Sequence, residues 1–152
     1  MNPHSPRAQA LILGGIWLLL ALFVVPLWDL TYWDFGDGNY LYVGERINEG
    51  LVPYRDILAP QPPLHLLMSA ISQRVGGWFG SELIGARFYC LVVRILQSFM
   101  VYLIALRLWK CMFRAVVAAA VFLALPIGFW WSICLQSENL ELVFLLFAIW
   151  AI

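Results

Sequence analysis

Four long apolar runs dominate the pattern of positions along the chain. Residues 8–28 and 115–131 carry no charged side chain. Residues 83–106 are interrupted only by Arg87 and Arg94, and a fourth run starts at Leu140 and continues to Ile152. A helix rises about 1.5 Å per residue and a bilayer core is about 30 Å thick, so a run of roughly 20 apolar residues can cross it. The pattern predicts an all-α membrane protein with three full spans (about 10–28, 83–106 and 115–131) and a partial fourth (about 140–152). Pro26-Leu27-Trp28 follow the first run instead of a small-x-small cleavage pattern, so that run reads as a retained helix, not a signal peptide. No basic flank or cap follows the fourth run. The expectation is one membrane domain over 1–152, the N-terminal part of a larger protein.

Between the first two runs lies a segment of different character, the loop 29–82. Its first part, residues 29–61, holds Asp29, Asp34, Asp37, Glu45, Glu49 and Asp56, together with Arg46 and Arg55. Asp37-Gly38-Asn39 reads as a helix-start signal, Tyr40–Glu49 as a short helix and Gly50 as its stop. Val52-Pro53-Tyr54 reads as extended. Pro62-Pro63 opens a second short helix, Leu64–Gln73, closed by Arg74 and Gly76-Gly77. That helix is too short to span, which predicts an interfacial position.

Composition agrees with the membrane reading. The chain has 152 residues, 63% hydrophobic and 12% charged, with net charge zero and eight Trp. Its mean hydropathy is +0.84. Ordinary soluble domains carry about twice that share of charge. A soluble enzyme, a nucleic-acid binder and a disordered tail are therefore excluded as first readings. Three cysteines make no disulfide framework.

Basic residues set the expected orientation. Arg107, Lys110 and Arg114 form the densest cationic loop, which places it and the Arg7 end in the cytoplasm. The acidic loop then lies outside, as does Glu138, in a multi-pass plasma (inner) membrane protein. Trp28, Trp33, Trp78, Trp130 and Trp131 fall at that outer boundary, as an aromatic belt does.

Three groups of residues are candidates for chemistry. Asp34, Asp37 and Glu138 are carboxylates placed to act as a general base or to hold a metal; Asp37 can equally be a helix cap. Arg55 and Asp56 sit in a turn-rich loop, where Arg55 can meet a phosphate or merely pair with a neighbouring acid. Arg87 and Arg94 are seven residues apart on one helix face, and Arg94 lies at membrane depth. There it can neutralise a phosphate or pair with a carboxylate. His65 reads as a helix-face residue at the interface.

The segment from Asp34 through Asp37, Tyr40, Tyr42, Gly44, Gly50, Pro53-Tyr54-Arg55-Asp56 and Pro62-Pro63-Leu64 resembles the first outer loop of the multi-spanning GT-C glycosyltransferases. It is most similar to the bacterial branch near protein O-mannosyltransferases and aminoarabinose transferases. Gly85-Ala86-Arg87 and Ser137-Glu138 are similar to later motifs of that family. The resemblance implies transfer of a sugar from a polyprenyl-phosphate donor to an acceptor, protein or envelope glycan or lipid, on the outer face. It implies catalysis by an outer-loop aspartate, Asp37 or Asp34 depending on register, with Glu138 nearby. Tyr40, Arg55, Asp56, Arg87 and Arg94 are the expected substrate contacts, and a divalent metal between Asp37 and Glu138 is left open. Gln61 stands where many members carry Lys. The alternative is a non-catalytic membrane subunit that assists assembly or lipid handling. No nucleic-acid partner is expected.

Overall fold

The computed structural model describes residues 5–28 and 35–152 and is all-helical over them, without strands. Helix α1 spans Pro6–Val24, α2 Phe35–Asn48, α3 Pro63–Trp78 and α4 Glu82–Trp109. Helix α5 spans Met112–Ala124, α6 Pro126–Trp131 and α7 Ser137–Ala151. Two helical stretches, Arg7–Leu27 and Glu82–Trp109, are long and apolar enough to cross a membrane.

Local chemistry explains most of the boundaries. Ser5 caps α1 by accepting the Ala8 N–H at 3.2 Å. Pro26, which has no N–H to continue the ladder, converts the end of α1 into a short 3₁₀ turn, Val25–Leu27. Gly50, at φ +98°, ends α2 with its own N–H on the Ile47 carbonyl and the Leu51 N–H on that of Arg46, a Schellman closure. Ser81 caps α4 through the Ile84 N–H at 3.3 Å, and Lys110 leaves α4 in the left-handed conformation.

Several expected boundaries are corrected. The first loop helix starts at Phe35, not Tyr40, because tertiary bonds at Asp37 hold the first turn despite Gly36 and Gly38. The second continues through Gly76-Gly77 to Trp78. Gly76 is there for closeness and not for termination. A Cβ on it would stand 2.5 Å from the Gly85 Cα, so α3 and α4 cross at a backbone-to-backbone contact. The run 115–131 is not one helix. Leu125 takes the extended conformation a residue before proline prefers, and Pro126 starts α6. Helix α7 begins at Ser137, three residues before the apolar run.

Helices α2 and α3 form a hairpin fastened by polar contacts. The Ser69 hydroxyl donates to the Tyr40 carbonyl at 2.8 Å, Gln73 donates to the Ser69 Oγ at 3.0 Å, and Asn48 donates to the Ala70 carbonyl at 2.9 Å. The hairpin packs against the Glu82 half of α4 around Leu66, Val43, Ala86 and Leu135. Helices α1, α4 and α5 share a second core toward the Trp109 half.

Helices α3 and α4 each bury polar side chains and expose large apolar ones. On α3 the buried face carries His65, Ser69, Ser72 and Gln73, whereas Leu64, Leu67, Ile71 and Trp78 point outward. On α4 the buried face carries Arg87, Arg94, Gln97 and Ser98, whereas Phe88, Val92 and Leu96 are exposed. Buried polar groups and exposed large apolar faces are the informative departures from globular burial.

Candidate functional site

The polar face of α4 meets an irregular backbone segment. Residues 132–135, between α6 and α7, are fully buried without being helical. A buried loop needs donors and acceptors from elsewhere, since water is excluded. Side chains supply them. Asp37, on the first turn of α2, accepts the Leu135 N–H on Oδ1 at 2.8 Å. Arg87 donates to the Ile133 carbonyl at 2.6 Å. Asn139 donates to the carbonyls of Trp131 and Cys134 at 3.0 and 3.2 Å.

Asp37 and Arg87 also grip each other. The two guanidinium nitrogens meet the two carboxylate oxygens at 2.6 and 2.7 Å, and both side chains are wholly enclosed. This two-pronged geometry is the strong form of an ion pair. Asp37 therefore lies inside α2 with both carboxylate oxygens engaged. It is the knot that ties α2, α4 and the 132–135 segment together.

Arg94 resolves a different problem. Pro126 cannot donate to the carbonyl four residues before it, that of Phe122. Arg94 donates to this carbonyl at 2.6 Å, lies over the Phe122 ring at 3.8 Å, and gives a second N–H to Gln97 Oε1 at 2.9 Å. Gln97 passes the chain on to the Asn139 carbonyl at 2.6 Å. A continuous buried polar seam thus runs from the Asp37 knot to the break between α5 and α6. Among the described residues Arg94 is met by an amide oxygen and a backbone carbonyl.

The remaining expected contacts lie apart from this seam. Arg55 and Asp56 pair at 2.9 and 2.7 Å in a turn where Tyr54 takes φ +67° and its hydroxyl donates to the Gln61 carbonyl. Arg55 holds the Asp56 carboxyl below its ordinary range, helped by the Val52 N–H, and Asp56 raises Arg55 in return. Glu49 is taken by Arg46. Tyr40 is a core residue whose ring meets His65 edge-on at 4.5 Å. Glu138 is exposed on the first turn of α7 and accepts the Ser137 hydroxyl at 3.1 Å. Asp34 lies outside the described residues. Among the described residues no group of three His, Cys, Asp or Glu side chains is placed to hold a metal ion.

Two further features lie outside the candidate groups named above. An apolar cavity of about 510 Å³ lies between α3 and α4, walled by Trp28, Met68, Val75, Phe79, Phe88 and Val92 among others. A smaller cavity of about 220 Å³ lies between the start of α3 and the start of α7, with His65, Ser137 and Glu141 on its lining. His65 is 2% exposed, and among the described residues neither ring nitrogen has a hydrogen-bond partner. Burial lowers its pKa to about 4, with Glu138 pulling weakly the other way. The readable signal was the spacing of His65, Ser69, Ser72 and Gln73, a polar stripe at helical period within an apolar helix.

Compared with known family models, curated proteins and solved structures, the chain matches none.

Proposed function

We propose that this chain is the N-terminal, membrane-embedded part of a glycosyltransferase that moves a sugar from a polyprenyl-phosphate carrier to an acceptor on the outer face of the membrane. The observation that carries the reading is the Asp37 knot. It gathers three separate motif segments at one end of the bundle: Asp37 bonds to Arg87, 50 residues on, and to Leu135, 98 residues on. A transferase of this kind needs its loop residues assembled over the membrane surface, and the knot does that assembling. The inside-out burial of α3 and α4 supports a bundle surrounded by lipid, with three crossings and a fourth begun, the Arg7 end in the cytoplasm and the α2–α3 hairpin outside. The 510 Å³ apolar cavity has the character an isoprenoid tail requires.

In the reaction the acceptor hydroxyl attacks the anomeric carbon with inversion, its proton passes to a carboxylate, and polyprenyl phosphate leaves. Asp37 is committed to Arg87, so its part is positioning, and the proton falls to Asp34 or Glu138. Membranes containing the full-length protein, given labelled polyprenyl-phosphate sugar, test this. Asp34→Asn or Glu138→Gln is expected to lower transfer about 10²–10⁴-fold with thermal stability unchanged. Asp37→Asn is expected to lower stability and transfer together, because it leaves Arg87 incompletely paired. The same ion pair also favours the second reading, a non-catalytic subunit that assists assembly or lipid handling. Unchanged transfer in all three variants selects that reading and overturns the first.

A further inference from the structure

One face of α5 forms an open apolar groove of about 510 Å³ that shares no residue with the cavity between α3 and α4. Phe113, Val117, Val121 and Leu125 recur every fourth position, so they form one stripe along it, and all four are exposed. At about 1.5 Å per residue the stripe runs about 18 Å. One leaflet contributes roughly 15 Å to the hydrocarbon core, so the groove has the depth of a single leaflet. The break at Pro126 ends it there. The carbonyl that this break frees, on Phe122 in the groove wall, is already taken by Arg94. The stripe therefore suits a chain without polar atoms.

The other end of the groove is cationic. Trp109 and Arg114 close it at the start of α5, and Lys110 follows Trp109 in the short link from α4. Lys110 and Arg114 are exposed, and among the described residues neither side chain has an acid or a hydrogen-bond partner. Arg107, one turn earlier on α4, is occupied by the carbonyls of Trp150 and Ile152. No Asp or Glu stands in the sequence between Glu82 and Glu138, so no neighbouring acid on α4 or α5 balances this charge.

A purely apolar helix would cover the stripe and leave both cations unpaired. A free phosphate would meet the cations and leave the stripe bare. A phospholipid of net negative charge satisfies both ends, with Trp109 at the headgroup boundary. We infer that the α5 groove holds one anionic phospholipid of the cytoplasmic leaflet, its headgroup on Arg114 and Lys110 and one acyl chain along Phe113–Leu125. The site rests on the membrane placement and orientation proposed above, and on no part of the transfer chemistry.

The full-length protein is placed in nanodiscs of phosphatidylcholine with a minor share of phosphatidylglycerol. A photo-crosslinking amino acid is installed in place of Val117 or Val121 in the groove, or of Leu18, which is exposed on α1 away from it. Mass spectrometry then identifies the adducts. At positions 117 and 121 phosphatidylglycerol is expected to exceed its share of the disc about fivefold or more, the scale of one cation near a membrane surface. Position 18 is expected to report the bulk mixture. The double variant Lys110→Gln/Arg114→Gln changes exposed side chains only and is expected to abolish the enrichment, whereas Arg114→Lys keeps the charge and most of the effect. Bulk composition at 117 and 121, enrichment that survives loss of both cations, or crosslinks to a protein segment in place of lipid each overturn the inference. Lipid adducts at 18 with no enrichment in the groove strike the site alone and leave the membrane placement standing. Absence of lipid adducts at all three positions strikes both.

Discussion

Single side chains in this molecule mend faults in the backbone. Arg94 serves the carbonyl that Pro126 leaves without a donor, so the two residues are energetically coupled. Arg94→Met is expected to lower stability by about 2–3 kcal/mol, the scale of a charged hydrogen bond lost from a buried acceptor. Pro126→Ala restores an N–H four residues after Phe122. In the Arg94→Met background it is expected to recover about 1 kcal/mol, whereas in the wild type it gains little. Denaturation of all four proteins in mixed micelles measures the coupling, and strict additivity would contradict it. His65 carries a pH signature. Its folded pKa of about 4 lies below the ordinary 6.5, so between these values the unfolded chain binds the extra proton. Stability attributable to this residue is complete above about pH 6.5 and declines as the pH falls toward and through 4, by about 3 kcal/mol in all. The stability difference between wild type and His65→Phe should follow that curve; a difference independent of pH would mean that His65 is not buried neutral.

At the level of helices, the crossing of α3 and α4 depends on two glycines. A Cβ on Gly85 would collide with the backbone of Ser72 and Gly76, atoms that cannot swing aside. Gly85→Ala is expected to cost about 2–3 kcal/mol by forcing the helices apart. A Cβ on Gly44 would meet the side chains of Gln73 and Ser69, which can turn away, so Gly44→Ala should cost less. Thermal unfolding of the two variants side by side decides this. The glycines also show what a sequence reveals and what it conceals. Gly50 and Pro63 were legible as a stop and a start because their backbone chemistry acts locally. Gly76-Gly77 looked like a stop and is a crossing point, since the reason for it lies on another helix. Pro126 could have been read as a break, but the uncharged run around it masked the signal. The shared face of Arg87 and Arg94 followed from their spacing. Their partners did not, because nothing local in a sequence says that an aspartate 50 residues earlier will close on a given arginine.

For the whole molecule, the orientation argument is open to direct measurement. The α2–α3 hairpin packs on the Glu82 half of α4, and Arg107 lies near the opposite end, where it donates to the carbonyls of Trp150 and Ile152. In a background with Cys90 and Cys134 replaced, a membrane-impermeant thiol reagent applied outside should modify Glu49→Cys and leave Cys111 untouched. Modification of Cys111 from outside would invert the arrangement.

The Asp37 knot has a consequence for how such a chain is made. Synthesis runs from the N-terminus, so Asp37 and Arg87 both exist before Ile133 and Leu135 do. At about 5–20 residues per second, the 46 residues separating Arg87 from Ile133 take roughly 2–9 s to appear. Through that interval the backbone partner of Arg87 is still unmade, and Asp37 is the anion already at hand. The carboxylate then works as an escort for a charged helix during birth, before it becomes a clasp in the finished fold.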